Sequence, residues 1–158
     1  MYPLCPMPTQ TTFTKLKEFL EEKPASQKAA KHLKKNIEVG VVIGNQIECA
    51  FFQRDAKPVL EERPAKNPDV VFYLKPESVE ILCKNSGDDV GEFGIAVLKE
   101  YMAGGVRIKV PGSVIAITMN GYLGIMKEGG STFMKFLAMH GVSSLSKIAT
   151  IVKNLKST

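Results

Sequence analysis

Histidine occurs only at His32 and His140, tryptophan is absent, and the three cysteines, Cys5, Cys49 and Cys83, are an odd number at wide spacing. No CxxC pair exists and two histidines do not complete a zinc ligand set, so neither a disulfide framework nor a metal centre is expected. Also missing are a phosphate-binding loop ending in Gly-Lys-Ser/Thr, a GxGxxG turn behind a strand, a GxSxG nucleophile elbow and an HExxH helix. These absences remove the common routes to nucleotide chemistry, acyl transfer and metal-assisted hydrolysis. The expectation is a chain that is not an enzyme and uses no cofactor. No run approaches the roughly 18 apolar residues of a bilayer span: the greasiest stretch, Val114 to Met126, is broken by Thr118, Asn120, Gly121 and Gly124. Residues Met1 to Thr12 lack the basic, apolar and small-residue succession of a secretory signal, which makes the cytoplasm the expected location.

What is present is ordinary for a folded domain. A chain of 158 residues with 44% hydrophobic and 23% charged residues can bury a real core and falls within the usual size of one domain. The formal net charge of +5 is concentrated. Lys15 to Lys35 carries seven lysines against Glu18, Glu21 and Glu22, and Lys147, Lys153 and Lys156 follow near the end. Such clusters attract anionic lipid headgroups or nucleic acid, although alternating signs without interleaved aromatics fit a solvated helix face better.

Periodicity orders the chain. Pro3, Pro6 and Pro8 predict an extended arm over residues 1–12, and Phe13, Leu16, Phe19 and Leu20 then recur at helical spacing up to Pro24, which opens a second helix closed by Asn36. The period then falls to two: Ile37, Val39, Val41 and Ile43 alternate up to Gly44-Asn45, and Ile47, Cys49 and Phe51 alternate after it, which reads as a β-hairpin. A third strand is expected at Lys57 to Arg63, where Pro58 suits an edge or a strand start, and a fourth at Val70 to Leu74. Pro76 and Glu77 open a short helix, and Asp88 or Asp89 caps the next, which carries Phe93, Val97 and Tyr101 on one stripe and Ile95, Leu98 and Met102 on another. Val106, Ile108 and Val110 alternate with Arg107 and Lys109 as a half-buried strand. Behind Pro111-Gly112 and the cap Ser113, a helix is apolar almost all round, with Ile115, Met119, Tyr122 and Met126 on one seam. A helix with Phe133, Phe136, Leu137 and His140 on one face follows, then an amphipathic stripe of Leu145, Ile148, Val152 and Leu155. No repeat and no dividing linker appears, so residues 13–158 read as a single domain.

The groups able to do chemistry have simpler explanations. Asp88 and Asp89 stand at a helix start, where capping accounts for them; His140 lies near a helix end; Cys49 and Cys83 read as small hydrophobes inside a strand and a helix. What remains is apolar and adaptable, with Met102, Met119, Met126, Met134 and Met139 crowding the C-terminal half among Phe93, Tyr101, Tyr122, Phe133 and Phe136. A helix greasy on both sides at 114–126 needs two covers, and one sheet supplies only one of them.

The order of elements, the segment Pro68-Asp69-Val70-Val71-Phe72, the opening Lys75-Pro76-Glu77 and the segment Gly105-Val106-Arg107-Ile108-Lys109-Val110-Pro111-Gly112 resemble the sterol carrier protein type 2 family over about residues 26–126. The resemblance implies an α+β fold: a five-stranded, mostly antiparallel sheet covered by helices on one face, enclosing a hydrophobic tunnel, with extra C-terminal helices over 131–158. It implies non-enzymatic binding, and transfer, of a fatty acyl chain, phospholipid or sterol-like lipid. Carried onto this chain, the tunnel is expected to be lined by Phe51, Phe72 and Ile108 from the strands and by Leu98, Met102, Ile115, Met119 and Tyr122 from the helices. The stretch Asn85 to Tyr101 is longer than the family's usual link, which leaves a lid or a dimer contact as its uses. The end Leu155-Lys156-Ser157-Thr158 is not a peroxisomal address.

Two readings follow. In the first, a hydrophobic molecule is held by area burial at about 25 cal/mol per Å2, with its polar head near a basic rim and with peripheral contact to an anionic membrane. In the second, the stripe from Leu145 to Leu155 pairs two copies into a homodimer and the cavity is vestigial. Nucleic acid is not expected as a partner, because no aromatic platform accompanies the lysines.

Overall fold

The computed structural model describes residues 8–85, 87–112, 124, 125 and 128–139. A sheet of five strands has the spatial order β3-β2-β1-β4-β5, built from β1 (Val39–Ile43), β2 (Ile47–Arg54), β3 (Lys57–Glu61), β4 (Val71–Leu74) and β5 (Val106–Lys109). β1 runs antiparallel to β2 and parallel to β4; β2 with β3 and β4 with β5 are antiparallel. The helices are α1 (Pro8–Glu22), α2 (Pro24–His32), α3 (Pro76–Cys83), α4 (Val90–Met102) and α5 (Gly130–Met139). This is the expected α+β class and a mostly antiparallel sheet.

Turn chemistry sets the register of the hairpins. Gly44 and Asn45 take φ of 59° and 57° between β1 and β2, the left-handed conformation that glycine and asparagine accept most readily. The β2–β3 connection is the tighter one: Arg54 pairs with Lys57, leaving only Asp55 and Ala56, at φ of 56° and 64°. Positive φ at both positions matches the twist of the strands, but Ala56 has a Cβ that disfavours it. The amide of Ala56 compensates by donating to Gln53 Oε1 at 2.8 Å.

One face of the sheet is the core. Val41, Ile43, Ile47, Cys49, Leu60, Leu74 and Val106 pack with Phe13 and Leu16 of α1 and Val79 of α3, and all are buried. Gln53, on the same face as Phe51, donates to the Leu33 carbonyl behind α2 at 2.6 Å, so α2 lies over that side as well. The opposite, outer face presents Glu48, Arg107 and Lys109 to solvent.

Several boundaries differ from expectation for identifiable reasons. The N-terminal arm was expected to reach Thr12, whereas α1 starts at Pro8, because Thr12 and Phe13 are buried and hold this stretch against the core. β1 starts at Val39 rather than Ile37, since Asn36 at φ 70° and the bond from Ile37 N to Lys34 O form a turn. β3 is an edge strand that tolerates Pro58, and Pro76 opens α3, both as the sequence predicts. The greasy helix expected over 114–126 and the stripe from Leu145 to Leu155 lie outside the described residues, apart from helical Gly124 and Ile125.

A half-buried ion pair ties the chain ahead of β1 to the segment after β3. Glu38 accepts from both terminal nitrogens of Arg63 at 2.8 and 2.7 Å and from the Lys66 amide at 2.7 Å, while Arg63 Nε donates to Glu61 at 3.0 Å. The Arg63 hydrogen bonds hold the Glu38 carboxyl below the usual range, against the upward push of burial. A depressed carboxylate stabilises the fold above its unfolded pKa, and that stability is lost as pH falls through the folded value. Glu38→Gln should therefore lower stability at pH 7 by about 1–2 kcal/mol. In urea titrations the gap between the two proteins should close as pH drops below about 4.

Candidate functional site

Register brings some of the expected lining residues together and separates others. Val41 pairs with Cys49 on one side and with Phe72 on the other, and Phe72 pairs with Ile108, so the four make one row across the inner face. Cys49 and Val41 are sealed, whereas Phe72 and Ile108 remain half-buried. Phe51 points to the same side but belongs to the neighbouring row, opposite Val39 and Leu60, and is also half-buried.

The helix beside Ile108 and β5 is α4, which also packs against α2, α3 and α5. Asp89 caps it by accepting from the Gly91 amide at 2.7 Å, which is the structural use expected for this acidic pair. Phe93 meets the Phe19 ring at 5.3 Å between centroids and fixes α4 to α1. Ile95, Val97 and Leu98 are half-buried, Tyr101 is 39% exposed and Met102 52% exposed. Of the expected lining residues on this helix, Leu98 is half-buried and Met102 stands exposed at its C-terminal end. Ile115, Met119 and Tyr122 lie outside the described residues.

Two glycines of α4 make a contact that hydrophobic periodicity does not reveal. A Cβ on Gly94 would come within 2.8 Å of the Phe133 ring, and one on Gly91 would strike the Gly129 carbonyl. The bare strip Gly91-x-x-Gly94 is what lets α5 and its buried Phe133 lie against α4. The spacing is legible in the sequence, although nothing there says what fills it.

Other polar groups form open surface features. A hollow of about 340 Å3 is lined by Lys28, Asp88, Asp89, Val90, Glu128, Gly129 and Gly130. A second of about 340 Å3 lies among Lys35, Asn36, Glu38, Phe52, Gln53, Arg54 and Asp55. Neither is an enclosed apolar tunnel. His32 Nε2 approaches Glu128 Oε2 at 3.1 Å, which ties the end of α2 to the approach to α5. His140, weighed as a general base, lies outside the described residues. Among the described residues no group of three or more histidine, cysteine or acidic side chains is placed to hold a metal, and no helix is long and apolar enough to cross a membrane.

No protein-family model and no curated protein matches the chain. Among solved structures it is similar to sterol-carrier-protein-2-like proteins at low sequence identity. One, described as a UbiJ-SCP2 ubiquinone synthesis protein, is 14% identical, with a TM-score of 0.45 over 81% of this chain and 100% of that one. Another, the apo form of sterol carrier protein 2 from Yarrowia lipolytica, is 17% identical, with a TM-score of 0.39 over 77% of this chain and 91% of that one.

Both described cysteines are poor nucleophiles. Burial pushes the Cys49 thiol up to about 12, helped by Glu62, and the Cys83 thiol up to about 11, helped by Glu80 and opposed by Lys15. A thiol in that range is almost wholly protonated near neutrality and does not attack. Iodoacetamide at pH 8 should leave Cys49 and Cys83 unmodified in the native protein and alkylate both in denaturant, as read by peptide mass mapping.

Proposed function

We propose that the chain binds a hydrophobic small molecule, without covalent chemistry, between α4 and the inner face of β4 and β5. The observation that carries this is the half-burial of Phe72 and Ile108, a directly paired couple on the core side of the sheet, beneath a helix whose Ile95 and Leu98 are also only half-covered. Apolar surface that faces inward and is left incompletely covered gains about 25 cal/mol for each Å2 that an apolar ligand removes from water. Two sides of such a site, a pleated sheet and a helix, define a slot that suits a long acyl chain, a phospholipid tail or a sterol-like ring system. Phe51 and Met102 extend the same surface towards β2 and towards the exposed end of α4. The sequence resemblance to sterol carriers supports the same class of ligand, and the protonated thiols and the capping role of Asp89 fit a binding protein better than a catalyst.

The lysines once weighed for a basic rim are partly committed elsewhere. Lys15 pairs with Glu80 at 2.9 Å, and Lys17 bonds Glu21 and the Leu60 carbonyl at 2.7 and 2.8 Å. A polar headgroup at the mouth would meet what remains of this charge.

Native mass spectrometry of the purified protein, followed by organic extraction and titration with a fluorescent long-chain fatty acid, tests the reading. A bound lipid-sized adduct, or saturable one-to-one binding, is the expected result. Leu98→Ala should weaken that binding by about tenfold, the value of one buried leucine contact, and should do so without changing the far-ultraviolet circular dichroism. An empty protein that also ignores the fatty acid would end the proposal.

A further inference from the structure

The outer face of the sheet carries two aromatic rings, each flanked by cations. Tyr73 of β4 lies opposite Arg107 of β5, with the guanidinium 4.9 Å and the Lys109 ammonium 5.3 Å from its ring centroid. Across the sheet, Phe52 of β2 has Arg54 at 5.5 Å and Arg63 at 5.3 Å. Alternation along the strands puts Lys57 on this face too, with half-buried Val42 and Val71 between the two stations.

The cations divide into committed and free. Arg63 is held by Glu38 and Glu61, and Arg54 leans on Glu61 at 3.9 Å. Arg107, Lys109 and Lys57 are exposed and have no carboxylate partner among the described residues, and the acids on this face are Glu48 and Glu61, the latter held by Arg54 and Arg63. Five strands at about 4.8 Å spacing make a surface about 20 Å wide.

We propose that this outer face is a docking surface for membranes rich in anionic lipid, with Arg107, Lys109 and Lys57 meeting the headgroup phosphates and Tyr73 lying at headgroup depth. Charge complementarity chooses this occupant. A second copy would bring the same cations against themselves across a two-fold axis and be repelled. Nucleic acid bases need open ring faces on which to stack, and here those faces are taken by guanidinium and ammonium groups. Anionic headgroups match unpaired cations around an interfacial tyrosine. The surface lies on the opposite side of the sheet from the apolar site, so it stands or falls independently of ligand binding.

Co-sedimentation of the full chain with vesicles of phosphatidylcholine alone, and of phosphatidylcholine mixed with phosphatidylglycerol, tests the surface. Binding only to the mixed vesicles, weakening steeply with salt, is expected. Arg107→Gln combined with Lys109→Gln should reduce that affinity by about thirtyfold, and Lys57→Gln by about fivefold, whereas Lys31→Gln with Lys34→Gln on the α2 side should change it by less than about threefold. Circular dichroism and urea midpoints check that each variant is folded; because all these side chains are exposed, the Lys57→Gln variant stands as an independent reading should the double variant fail. The proposal is overturned by no binding, by binding indifferent to phosphatidylglycerol, by an equal loss in the Lys31 and Lys34 variant, or by tighter binding to single-stranded RNA that depends on Arg107 and Lys109.

Discussion

The rest of the fold depends on the close approach of β1 and β4. β1 has an antiparallel neighbour on one side and a parallel one on the other, and the parallel contact requires Gly40, where a Cβ would lie 2.9 Å from Cγ2 of Val71. With no side chain there, β4 can lie beside β1 in the register that sets Phe72 opposite Val41 and Leu74 opposite Ile43. That register decides which residues face the helices. A slip of one residue would send Phe72 and Ile108 to solvent and bring Tyr73 and Arg107 into the core.

Much of the fold was legible because its elements obey single, strong periods. β1 and β2 place apolar residues at every second position about Gly44-Asn45, and Pro76 marks a helix start that needs no neighbour to explain it. Phe51, Phe72 and Ile108, named through the family resemblance, stand on the core side of the sheet, but alternation alone does not say which of a strand's two faces turns inward. Less legible were features created by pairing. Nothing local announces that Tyr73 will meet Arg107 and Lys109, because those residues come together only when β5 is laid against β4. The Asp55-Ala56 turn is hidden for a related reason: it lacks glycine, and its positive φ angles are supported by the side chain of Gln53, which lies in the strand before it. Glu38 looked like one acid among sixteen, and its role appears only when Arg63 and the Lys66 amide converge on it.

The two faces of the sheet show how one backbone pattern can serve different ends. On the inner side, the row Ile47, Ile43, Leu74 and Val106 is fully closed by α1 and α3, while the adjacent row loosens from Cys49 towards Ile108. The gradient runs from fully buried side chains at one end of the row to half-buried Phe72 and Ile108 at the other, beside α4. α4 is itself held at its N-terminal half by the Asp89 cap, the Phe19 ring and the glycine strip, and its C-terminal half carries the exposed Tyr101 and Met102. If the proposed ligand site exists, a helix anchored at one end and carrying an adaptable methionine at the other would suit an irregular guest.

The two edge strands have a consequence for how copies of the chain meet. β3 carries Pro58, which has no amide hydrogen to offer, beside exposed Lys57; β5 carries exposed Arg107 and Lys109. Proline and like charges along an edge discourage the lateral strand addition by which sheets extend into ribbons and fibrils. Both margins of the sheet thus carry features that work against growth by strand addition.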